Sequence, residues 1–194
     1  MTEPLTPNDE RAPNERPVDV IAPQHLGVTT PAGSGTLPLF VTGEWPVQPA
    51  GTQTVGVKRA VILIHGRLRN ANAYFNLAHR ARALAGSDAR DTLLIVPQFL
   101  ATADVSAHGL PPSTLHWDWT SWMGGGTAED PAPISSFDVL DAILCTLSDR
   151  EQYPALSDIV IAGHSGGGQV VQRYAVVTRG EAAVALRGIA VRYV

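Results

Sequence analysis

Three stretches of the chain are apolar without alternation: RAVILIHG (59–66), TLLIVPQF (92–99) and DIVIAG (158–163). Unbroken apolar runs of this length, rich in β-branched residues, predict parallel strands buried on both faces. RGIAVRYV (187–194) predicts a fourth. Between the runs, the apolar period changes to three and four. Tyr74, Leu77, Ala78, Ala81 and Leu84 predict a helix that Asn70 or Asn72 can cap and Gly86 can end. Ser135-x-x-Asp138 is a capping-box pattern, and Leu140, Ile143, Leu144 and Leu147 follow it on one helical face. Val170, Val171 and Tyr174 mark a third helix, stopping near Gly180. Alternating strands and helices predict an α/β fold of three layers: a mostly parallel sheet with helices on both faces.

Upstream the pattern is weaker. His25–Thr30 and Leu37–Thr42 read as strands of an antiparallel entry hairpin, with Pro31, Gly33 and Gly35 marking the turn. Pro46–Thr54 and a long stretch from about residue 99 to 134 read as loops. Residues 1–24 hold five prolines and more acidic than basic groups. Such a segment buries too little apolar area of its own to offset its ordering entropy, which predicts a disordered tail. The remaining residues, 25–194, predict one domain.

Composition narrows the function. The net charge of −4 argues against nucleic acid as a partner, which wants clustered Lys and Arg. No apolar run approaches the ~18 residues of a membrane-crossing helix. The first twenty residues have no basic-then-apolar signal pattern, so a cytoplasmic location is the default expectation. The single cysteine, Cys145, excludes an intrachain disulfide and a cysteine-based zinc cluster, and its helical setting predicts a buried thiol. Asp118, Asp130, Asp138 and Asp141 show no metal-ligand spacing, and Asp138 reads as a helix N-terminal charge. Neither a metal nor a cofactor is expected. Gly124–Gly126 lack the Lys and Ser/Thr of a phosphate-binding loop. Nothing in the pattern sets an oligomeric state.

The candidate chemistry lies in Gly163-His164-Ser165-Gly166-Gly167, which fits G-x-S-x-G between a predicted strand and a predicted helix. A strand reversing into a helix within so few residues holds the central Ser in a strained conformation. Glycines at either end remove Cβ atoms where the chain packs on itself. The Gly166 N–H then lies at a helix N-terminus, where partial positive charge favours an oxyanion.

Together VILIHG, LLIVPQF and IVIAGHSGGG resemble, in order and spacing, the α/β-hydrolase superfamily of serine hydrolases. The resemblance covers about residues 25–194. It implies Ser165 as nucleophile, the N–H groups of Arg67 and Gly166 as oxyanion hole, and a small-molecule ester as substrate, cleaved through an acyl-enzyme. The family's chain order continues from Ser to Asp or Glu and then His. No His follows Ser165 here, and the only acidic residue after it, Glu181, comes too early. The resemblance therefore implies the N-terminal part of a hydrolase, cut after the strand that follows the nucleophile helix. It also implies negligible activity for residues 1–194 alone. The alternative is a non-catalytic binding or interaction module on the same scaffold. A third reading makes His108 or His116 the base.

His164 and His65 read as locally bonded histidines rather than bases. Trp117, Trp119 and Trp122 lie in the long loop, on the side where open α/β sheets bind ligands. They could wall an acyl pocket or anchor the loop to the core. Arg67 and Arg69 could attract an anionic group, or simply be solvated.

Overall fold

The structure, a computed structural model, describes residues 12–43, 45 and 56–194. The Pro46–Thr54 loop and the first eleven residues of the expected tail lie outside the described residues.

The entry hairpin pairs β1 (Gln24–Thr30) with β2 (Gly33–Val41). Thr30 faces Gly33, so only Pro31 and Ala32 form the turn, and the glycines belong to the strand. β3 (Arg59–Ile64) leads to helix α1 (Ala71–Leu84) and then to β4 (Thr92–Pro97). Helix α3 (Ser136–Leu147), strand β7 (Asp158–Gly163), helix α4 (Gly166–Val177), short helix α5 (Gly180–Ala185) and strand β8 (Ala190–Tyr193) complete the alternation. The sheet order is β1-β2-β4-β3-β7-β8. β4, β3, β7 and β8 run parallel, and the hairpin joins β4 antiparallel at one side. The molecule is an α/β protein with a mostly parallel mixed sheet flanked by helices.

Period two sorts the strand residues between two apolar clusters. Ala60, Ile62, Ile64, Leu93, Ile95, Ile159 and Ile161 join α3 and α4 in the main core. Leu94 and Val96 pack with Val61, Leu63 and residues of α1 in a smaller cluster on the other face. α3 is positioned as its sequence dictates. Ser135 Oγ accepts from the Phe137 N–H at 3.1 Å, and Asp138 Oδ2 accepts from the Ser135 N–H at 3.1 Å. Its buried face is Val139, Leu140, Ile143, Leu144 and Leu147. Cys145 falls between those positions and is exposed, correcting the expectation of a buried thiol.

Two regions differ from the sequence pattern. The stretch read as one loop holds β5 (Leu100–Ala101), helix α2 (Thr102–His108), β6 (His116–Trp117) and a 3-10 turn, Ser121–Gly124. α2 has only seven residues, too few to show an apolar period. The tail reading also changes. Residues 12–23 lie against the segments that follow β3 and β4, with Val18 and Ala22 buried. Composition counts only the apolar area a segment carries; here distant side chains satisfy its backbone.

Candidate active site

β3 and β7 are parallel neighbours, and both end at the same level, Ile64 opposite Gly163. Each is followed by a turn into a helix, so two turns face each other above the sheet.

The turn after β7 is set by close backbone packing. A Cβ on Gly163 would lie 2.3 Å from the Gly167 carbonyl. One on Gly167 would lie 2.2 Å from the Ile64 oxygen and 2.6 Å from that of His65. α4 therefore starts in contact with the backbone of β3, which only glycine permits. Between these glycines Ser165 adopts φ 58°, ψ −118°. Positive φ in a side-chain-bearing residue costs about 1–3 kcal/mol and persists only where the surroundings impose it. Ser165 is exposed and Gly166 and Gly167 are buried, so the hydroxyl-bearing residue is the one presented to solvent.

The turn after β3 is Gly66–Asn70. The Arg69 N–H donates to the Gly66 carbonyl at 3.0 Å, closing it. A Cβ on Gly66 would lie 3.7 Å from Ser165 Cβ, and one on Gly166 would lie 3.2 Å from the Arg67 nitrogen. The turns are thus in near contact, with Met123 beside them, its Sδ 2.5 Å from the same point on Gly166. The N–H groups of Arg67 and Gly166 have no hydrogen-bond partner among the described residues. Two free donors beside an exposed hydroxyl are the elements an oxyanion requires.

The histidines are engaged elsewhere. His65 is fully buried; its Nδ1–H donates to the Gly66 carbonyl at 2.8 Å and its Nε2 accepts from the Phe99 N–H at 3.0 Å. Burial, above all, pushes its pKa down to about 4, so it is neutral at pH 7. His164 Nδ1 shares a 3.1 Å hydrogen bond with the Tyr74 hydroxyl. His108 Nε2 donates to the Val18 carbonyl at 2.6 Å. His116 Nδ1 donates to the Thr114 carbonyl at 3.1 Å, with Nε2 3.9 Å from Asp130. None of these bonds runs to Ser165.

Trp117 and Trp122 are fully buried and wall no open pocket. The Trp117 indole N–H donates to Gly126, and Trp122 stacks on Phe99 at 5.3 Å. Their bulk anchors the long loop. Trp119 is half-buried and covers the Arg69 guanidinium at 5.0 Å. Arg67 is exposed, while Arg69 is fully buried and ion-paired with Asp104, a partnership no local pattern announces. Asp118 accepts from the N–H groups of Thr120 and Ser121 in a local turn. Asp141 gathers the Tyr174 hydroxyl and the Gly180 N–H, both at 2.7 Å. Among the described residues no three His, Cys, Asp or Glu side chains gather as a metal site, and no helix is long and apolar enough to cross a membrane. An apolar groove of about 560 Å³ adjoins His164, between α1 and β7, lined by Leu63, Ala73, Leu77 and Ala162.

The chain matches no protein-family model, and no curated protein matches it.

Proposed function

We propose that the chain carries the nucleophile and oxyanion hole of a serine hydrolase of the α/β-hydrolase type, acting on a carboxylic ester. One observation carries the reading: Ser165 is held exposed at positive φ between two glycines that admit no Cβ, in a turn that brings the free N–H groups of Arg67 and Gly166 close together. Strain of this kind in a solvent-facing serine is a cost without structural return and points to function.

In this mechanism Ser165 Oγ bonds to the ester carbonyl carbon and its proton passes to an imidazole. The resulting oxyanion accepts from the Arg67 and Gly166 N–H groups. The C–O bond then breaks and the alcohol leaves with that proton. Water repeats the sequence on the acyl-enzyme and releases the acid. His65, His108, His116 and His164 all bond to groups other than Ser165, so the reading gives none of them the part of the activating base. Small-molecule ester as substrate and a cytoplasmic location belong to the same proposal.

Fluorophosphonate labelling with added imidazole as external base tests it. The expected result is a single adduct at Ser165, formed faster than at any other serine and lost in Ser165→Ala. Labelling spread over several serines, or unchanged in that variant, would return the chain to the binding-module alternative.

A further inference from the structure

Residues 14–22 start in a 3-10 turn, Pro13–Glu15, and run on without helix or strand against the turn after β3, and every second residue is gripped through its backbone. The carbonyls of Asn14 and Arg16 accept from Arg69 Nη1 at 2.5 Å and Nη2 at 2.9 Å. The Val18 N–H donates to Asp104 Oδ1 at 2.8 Å, and the Val18 carbonyl accepts from His108. The Val20 carbonyl accepts from Gln98 Nε2 at 2.9 Å, and the Ala22 N–H donates to Gln98 Oε1 at 2.8 Å.

The same grip holds the turn. Arg69 has φ 58° and is fully buried. Its Nε and Nη2 fork onto Asp104 at 2.7 and 3.1 Å. Asp104, equally buried, also accepts from the Ala101 N–H at 2.7 Å. Gln98 Nε2 donates to the Arg69 carbonyl at 3.3 Å, so one amide touches both the crossing segment and the turn. A buried Arg–Asp pair holds its place only when its remaining donors and lone pairs are satisfied. The carbonyls of Asn14 and Arg16 and the N–H of Val18 do that.

We propose that Asn14–Ala22 is a latch that fixes the Gly66–Asn70 turn, with Arg69 as a positioning residue that keeps the Arg67 N–H opposite Gly166. The catalytic consequence rests on the hydrolase reading; the latch itself does not. Arg69 Nη1 and Nη2 carry the latch's first two bonds and its backbone closes the turn, so loosening one end loosens the other. The latch is read through its main chain, and side chains such as Asp19 take no part.

Hydrogen–deuterium exchange on the full chain tests this. Val18→Pro with Ala22→Pro removes two N–H donors of the latch. The expected result is exchange of the hydrogen-bonded Arg69 and Ala71 amides faster by about tenfold or more, with Leu94–Val96 in β4 unchanged. Asp19→Ala should leave both segments as they are. Equal acceleration everywhere, or none at Arg69 and Ala71, would overturn the latch. Should the double variant not fold, Ala22→Pro alone gives the same comparison on a smaller scale. Local acceleration in a chain whose Ser165 never takes the fluorophosphonate would keep the latch and discard the hydrolase reading.

Discussion

The turns after β3 and β7 share a level, a neighbour and a backbone oddity. Each contains one side-chain-bearing residue at φ 58°, Arg69 in the first and Ser165 in the second. Their supports are opposite in kind. Ser165 is held by close backbone packing: Gly163 lies against Gly167, Gly167 lies against the Ile64 and His65 carbonyls, and α4 follows at once. Arg69 is held from afar, by Asp104, Gln98 and the carbonyls of Asn14 and Arg16. A strained residue can be imposed by local crowding or by distributed hydrogen bonding. The first demands glycines beside it, and the second demands a buried charge.

That contrast makes opposite demands on one substitution. Arg69→Gly removes the positive-φ cost but leaves Asp104 buried and unpaired, which costs about 3–5 kcal/mol. Urea unfolding should show it as a large drop in midpoint, and a drop under about 1 kcal/mol would mean that Asp104 finds other partners.

A smaller effect comes from His65, where the first turn begins. Its pKa is about 4 folded against 6.5 unfolded. The unfolded chain takes up a proton as pH falls through 6.5, while the folded chain resists until about 4. Stability from this group is therefore complete above pH 6.5 and is lost as pH falls towards 4, by about 3 kcal/mol in all. Unfolding midpoints at several pH values should fall across that window, and His65→Gln should flatten the slope. An equal slope in the variant would place the titration elsewhere.

The smallest expected effect is at Ser165. Ser165→Gly relieves the strain and removes no buried partner, so it should stabilise by up to about 1 kcal/mol while abolishing fluorophosphonate labelling. A loss of stability would mean that Ser165 makes contacts the local account omits.

The same contrast explains what could be read from the sequence. The buried runs, the α3 capping box and the strand-turn-helix around Ser165 are local, so 59–66, 92–99 and 158–163 fall within a few residues of β3, β4 and β7. Gly163 and Gly167 declared the tight turn because no other residue fits there. The Arg69–Asp104 pair spans 35 positions and the Arg69–Asn14 bond 55, and neither residue sits in an informative pattern. Trp117 and Trp122 were ambiguous for a related reason. An indole suits a pocket wall as well as a loop anchor, and only burial separates the two. The residues that would activate Ser165 are not legible at all from the groups around it.

The latch has a consequence for how chains of this kind could diverge. A segment held by alternate carbonyls and amides is indifferent to most of its letters. The exposed Asp19 could drift freely, whereas inserting or deleting one residue would shift later backbone groups out of step with Asp104, His108 and Gln98. Related chains would then preserve the spacing of this segment more faithfully than its spelling.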